Sequence, residues 1–192
     1  MKKLLTALLC AISFSAFAVD YGIGVQYDYD NFNSNSSNVD SVKKVGVLVG
    51  ARTSFGQFDA GVYNAEVKGQ GFSDNNLGVE AGYGLRYAFS NKISLSGRVA
   101  YGRLFNRGLR APDSTGDYQT AAIGVGYPIN EQLSLGVGYR RRFGDLGLQN
   151  QYSVGGTYQF NRNYQLRMNV VHNTYADGRQ TNGLGTMLLY IF

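Results

Sequence analysis

A chain of 192 residues with one cysteine, two prolines and no tryptophan has room for one domain and no disulfide framework. Its formal net charge of +5 is too mild to argue for nucleic acid. The 26 glycines, 15 tyrosines and 11 phenylalanines dominate a sequence in which little apolar pattern of helical period is visible.

The first element is "MKKLLTALLCAISFSAFA": two lysines, an apolar run from Leu4 to Phe17, and Ala16-Phe17-Ala18 as an A-x-A cleavage site. This reads as a secretory signal over 1–18, leaving 19–192 as the mature domain. The apolar run falls short of the ~20 residues of a spanning helix. A lipid anchor at Cys10 is disfavoured by Leu9, where a small residue is expected. Removing Lys2 and Lys3 from the 18 basic residues leaves 16 against 13 acidic, a mature charge of +3 without cysteine. Stability in an oxidising compartment must then come from something other than disulfides.

Ten strand patterns follow. In 20–30, Tyr21, Ile23, Val25, Tyr27 and Tyr29 alternate with Gly22, Gly24, Gln26, Asp28 and Asp30. The same period of two runs through 43–54, 58–67, 77–89, 93–104, 117–129, 133–143, 152–160, 164–174 and 183–192. The third is least clean, because Tyr63 falls opposite Phe58, Ala60 and Val62, so eight strands with one irregular hairpin is the alternative count. Each segment approaches the ~9 to 11 residues that cross a bilayer at a tilt. Tight turns "FGQ", "SNK", "NEQ" and "NRN" follow the even strands, and longer polar segments beginning at 31, 68, 105, 144 and 175 follow the odd ones. The fold expected is a closed antiparallel up-and-down barrel with two unlike ends.

The apolar face carries tyrosine and phenylalanine at the strand ends, whereas the other face is glycine and charge. Packing the glycine faces together would bury charge against empty space, which a soluble sandwich cannot sustain. Aromatic rings with polar tips suit a membrane boundary, and a closed barrel satisfies its backbone in lipid. The apolar face is therefore the outside. One girdle would hold Tyr21, Phe55, Phe58, Tyr87, Phe89, Tyr127, Tyr158, Phe160, Tyr164, Tyr190 and Phe192; the other would hold Tyr27, Tyr29, Tyr101, Phe105, Tyr139, Phe143 and Tyr152.

With this pattern the mature chain resembles the small outer-membrane β-barrels of Gram-negative bacteria, in particular the porin/opacity and OmpX or OmpA-like class. The resemblance implies an outer-membrane location, with outer-membrane lipid and lipopolysaccharide as surroundings. It also implies that the last strand is read by the barrel-assembly machinery through Leu188, Tyr190 and Phe192, with Met187 where the family usually has glycine.

Ten strands give a backbone radius of about 10 Å. The polar side chains expected inward are Asp28, Asp30, Lys44, Arg52, Asp59, Glu80, Arg86, Arg98, Arg140, Arg142 and Arg167. Buried charges need partners, so an ion-pair network closing the lumen is the leading expectation, with Glu80 against Arg86 and Arg98 and Arg52 near Asp59. A narrow pore of mild anion preference is the alternative. Basic residues also gather at the long-loop end: Lys43, Lys44, Lys68, Arg103, Arg107, Arg110, Arg140, Arg141, Arg142 and Arg179. Of these, Lys43, Arg103, Arg107, Arg110, Arg141 and Arg179 form the candidate rim for lipopolysaccharide phosphates.

An adhesin acting through its loops is a third class of function, although these loops are short. Enzyme readings fare worst. Omptin proteases are ten-stranded barrels with carboxylate and histidine-aspartate pairs at the rim, but Val170 stands two residues before His172 where aspartate is needed. A lipid A deacylase would want serine where Thr174 stands. The expectation is a non-enzymatic, monomeric barrel without cofactor, metal or nucleic-acid partner.

Overall fold

A computed structural model describes residues 18–32, 39–90, 92–106 and 115–192. The signal segment up to residue 17, the tip of the first long loop, and Arg107 and Arg110 lie outside the described residues. The chain forms ten strands: β1 (Ala18–Phe32), β2 (Val39–Thr53), β3 (Gly56–Gly69), β4 (Phe72–Ala88), β5 (Ser94–Asn106), β6 (Thr115–Pro128), β7 (Leu133–Gly144), β8 (Gln149–Gln159), β9 (Tyr164–Tyr175) and β10 (Gln180–Ile191). Each pairs antiparallel with its sequence neighbour, and β10 returns to β1 from Gly22↔Ile191 to Phe32↔Thr181, closing the barrel without an edge.

The eight-strand alternative falls on β3, which pairs with β2 from Thr53↔Gly56 to Val39↔Gly69 and with β4 from Gln57↔Gly84 to Gly69↔Phe72. Its alternation is unbroken: Val62 faces out and Tyr63 faces in. The segment from 68, read from sequence as a long polar loop, is instead a hairpin turn over Gln70 and Gly71. Gly71 sits at φ 76 in open space, a backbone conformation that side chains with a Cβ disfavour. The β3–β4 pairing continues to Gly69↔Phe72 through polar residues that carry no apolar pattern.

The opposite turns are tight for local reasons. Asn130 Oδ1 accepts the N–H groups of Gln132 and Leu133 at 2.9 and 2.7 Å, and Asn161 Oδ1 accepts those of Asn163 and Tyr164, both at 2.9 Å. At the first turn Thr53 Oγ1 accepts from Phe55 N at 3.1 Å and donates to Gly56 O at 3.0 Å.

Among the described residues the buried apolar side chains are Ala65, Ala100, Tyr118 and Val171, while Val154 and Val170 are 63% and 61% exposed on the outer wall. An apolar band of this extent on the outside is the surface of a membrane-spanning barrel. Aromatic pairs mark its turn-side margin: Tyr87 with Phe89, Tyr158 with Phe160, and Tyr190 with both Tyr164 and Phe192, at ring separations of 4.8 to 5.1 Å. Tyr139 and Tyr152 pair at 5.3 Å toward the other margin.

Candidate functional site

The lumen is built from the inward positions of the period-two pattern. Arg98 on β5 is its central cation: its guanidinium pairs with Asp59 on β3, where Nε lies 3.0 Å from Oδ1, and donates to Glu80 Oε1 on β4 at 2.8 Å. The second Glu80 oxygen accepts the Tyr118 hydroxyl from β6 at 3.0 Å, and that hydroxyl lies 2.9 Å from the hydroxyl of Tyr63 on β3. Tyr63 in turn lies under the Lys44 ammonium at 4.3 Å, and Lys44 stands 3.6 Å from Asp28, which also accepts from Gln26. One continuous set of contacts thus links β1, β2, β3, β4, β5 and β6.

A second polar cluster lies toward the loop end. Asn173 and Thr181, both fully buried, bond to each other at 2.8 Å; Asn173 also donates to Asp30 at 3.2 Å and accepts from Gln151 at 3.0 Å. Arg140 lies within electrostatic reach of Asp30, Lys44 and Glu80. Arg142 reaches Leu146 O at 3.5 Å and faces the Tyr118 ring at 6.0 Å.

Two pairings expected from sequence are replaced. Arg86 donates to Ser94 Oγ at 3.1 Å rather than to Glu80, and Arg52 stands 3.9 Å from Asp20 while Asp59 is taken by Arg98. Partners across a tilted barrel depend on stagger, which alternation alone does not contain.

Tyr63 and Tyr118 were missed as lumen residues although parity places both inward. Their rings fill space that the glycine-rich face had suggested was empty. The glycines are the sockets: a Cβ at Gly78 would fall within the Tyr63 ring, one at Gly102 within the Tyr118 ring, and one at Gly82 would lie 2.6 Å from the Arg98 guanidinium. Glycine beside a large inward side chain was the available signal.

The rim basic residues divide. Lys43, Arg103 and Arg141 occupy outward positions of β2, β5 and β7 at their loop-side ends, in register with Tyr29, Asp117 and Asn150 respectively. Arg103 lies 3.4 Å from Asp117, and Lys68 lies 3.2 Å from Glu66. Arg140 and Arg142 point inward, so the run of three arginines is split by the wall. Arg179 packs over Tyr175 and Phe32 at 5.4 and 5.8 Å and donates to Asp177 at 2.7 Å. The Arg179 backbone N–H and guanidinium hold the exposed Asp177 carboxyl below its ordinary range.

His172 is on the outer wall with Asn182 Oδ1 at 2.8 Å, whereas Asp28 and Asp30 face the lumen. It lines a groove of about 580 Å³ together with residues that include Val137, Tyr139, Tyr152, Val154 and Val170. Leu188 and Tyr190 share the outer face of β10, and Phe192 follows its last residue with its N–H tied to Tyr21 O at 2.9 Å across the closing seam. Among the described residues, no group of three or more His, Cys, Asp or Glu is placed to hold a metal ion.

No protein-family model and no curated protein matches the sequence. Solved structures match by shape. The translocator domain of the autotransporter NalP from Neisseria meningitidis aligns over 98% of this chain and 95% of its own, at 10% identity and a TM-score of 0.54. The transport unit of the autotransporter AIDA-I from Escherichia coli aligns over 90% of each chain, at 11% identity and a TM-score of 0.52. The β domain of the Bordetella autotransporter BrkA aligns over 91% of this chain and all of its own, at 10% identity and a TM-score of 0.50. With its closed ten-strand meander and apolar outer wall, this chain has the fold of the outer-membrane β-barrels.

Proposed function

We propose that this chain is a monomeric, non-enzymatic outer-membrane protein of the Gram-negative envelope whose lumen is closed by its own side chains. The observation that carries the reading is the Arg98 bridge between Asp59 and Glu80, continued through Tyr118 to Tyr63. A guanidinium between two carboxylates, one of which takes a further bond from Tyr118, is the arrangement that makes buried charge tolerable, and two tyrosine rings fill the space around it. In planar bilayers the purified protein is expected to give no steps in conductance, and the double variant Y63A/Y118A is expected to give them. Steps from the unaltered protein would overturn the closed lumen in favour of the anion-preferring pore.

Lipopolysaccharide is the proposed outer partner, contacted through Lys43, Arg103 and Arg141, because these three stand on the lipid-facing side at the loop-side margin where phosphates would lie. Gln at all three positions is expected to lower the lipopolysaccharide that co-purifies; an unchanged amount would remove this part of the reading. The outward row Leu188, Tyr190 and Phe192 is proposed as the segment read during assembly. Deleting Phe192 should then reduce membrane-inserted protein more than it reduces the stability of molecules that have already inserted.

A further inference from the structure

Three lumen arginines stand apart from the network. Arg52 is one residue from the end of β2, Arg86 two from the end of β4, and Arg167 three residues into β9, which places all three near the tight-turn mouth. The charges acting on Arg167 are those of Arg52 and Arg86, both of its own sign. Arg86 has a neutral acceptor in Ser94, and Asp20 stands 3.9 Å from Arg52, at the limit of pairing. The Arg52 side chain is 56% exposed, so the mouth is open to solvent there.

Deeper in the lumen the cations have carboxylates beside them: Lys44 stands with Asp28, Arg98 with Asp59 and Glu80, and Arg140 within reach of Asp30 and Glu80. Among the described inward strand positions nearest the mouth, Arg52, Arg86 and Arg167 stand with one carboxylate, Asp20, an excess of two positive charges on these strands. Converging guanidinium groups repel, and partial burial strengthens the repulsion. An anion bridging them would reverse the sign of that interaction. Guanidinium forks fit oxyanions, and a phosphate group offers about −1.5 to −2 charge and three acceptor oxygens at neutral pH, which matches both the excess and the number of arginines.

We propose that Arg52, Arg86 and Arg167 form a binding site for a phosphate group at the turn-side mouth of the lumen, carried either by a free phosphate or by a lipid headgroup. The site rests on the reading of a lumen closed beyond it, which makes the mouth a blind vestibule.

The test is calorimetric titration of the full chain in detergent micelles with inorganic phosphate, against chloride at equal ionic strength. Saturable binding by inorganic phosphate is expected. It should weaken by about tenfold or more in R167Q, vanish in R52Q/R86Q/R167Q, and persist in the rim variant K43Q/R103Q/R141Q. If inorganic phosphate fails but short-chain phosphatidic acid binds with the same dependence on the three arginines, the headgroup is the source. Binding that survives the triple substitution, or no binding of either probe, overturns the site. Should the triple variant fail to fold, R167Q and R167K carry the test, with R167K expected to bind more weakly than the unaltered chain but better than R167Q. Conductance by the unaltered protein would overturn the closed lumen and leave the phosphate titration standing, so the two failures are distinguishable.

Discussion

Two groups of arginines share one lumen and one strand pattern, yet their surroundings are opposite. Arg98 is held by Asp59 and Glu80, while among the described residues the charges acting on Arg167 are the like charges of Arg52 and Arg86. The difference shows that an inward charge on a glycine-rich barrel face is not one kind of feature. Where carboxylates from neighbouring strands converge, it contributes a cross-brace; where they do not, it remains available to something outside the chain.

Removing each arginine should break the comparison most sharply. Arg98→Ala leaves two partly buried carboxylates without their cation and is expected to cost about 2–4 kcal/mol. Arg167→Ala relieves repulsion and should leave stability unchanged or slightly raised in phosphate-free buffer. Urea unfolding of the folded, membrane-inserted protein reads both; equal losses would erase the distinction between the two regions.

The sockets give the next largest effect. Gly102→Ala would push a Cβ into the Tyr118 ring, and displacing that ring separates Glu80 from Tyr63. A loss of about 1–3 kcal/mol is expected, together with intermittent conductance. Gly97→Ala, where an added Cβ would meet only Ala122 O at 3.9 Å, should do neither.

A smaller change tests the hydroxyl alone. Tyr118→Phe keeps the ring but forfeits the bonds to Glu80 and Tyr63, for an expected cost of about 1 kcal/mol. If the cost matches that of Gly102→Ala, the ring's position contributes little and the closure is purely polar. The least effect is expected at the exposed rim pair: Arg103→Gln loses a contact with Asp117 at 3.4 Å and should change stability by under about 1 kcal/mol.

Much of this was legible before any coordinates. Tyr63 was visible as a residue out of phase with Phe58, Ala60 and Val62, and the same parity places Tyr118 inward beside Thr120 and Ala122. What hid their importance was the assumption that glycine means vacancy. Gly78 and Gly102 are small because a ring from the adjacent strand occupies their place, and a single strand's pattern does not show its neighbour's side chain. The run Arg140-Arg141-Arg142 could be divided into two faces by period alone, whereas the partners of Arg52 and Arg86 could not be chosen.

By itself the sequence determined the face that meets lipid, the unlike ends and the aromatic margins, because each follows from the two-residue repeat of a strand and from the cost of placing polar groups in hydrocarbon, while the pairing of β3 on both sides decided ten crossings over eight. Only the tertiary structure decided which carboxylate meets which cation. That choice depends on the stagger between strands and on curvature, which bring residues as far apart in sequence as Arg98 and Asp59 together and leave Arg167 facing its own kind.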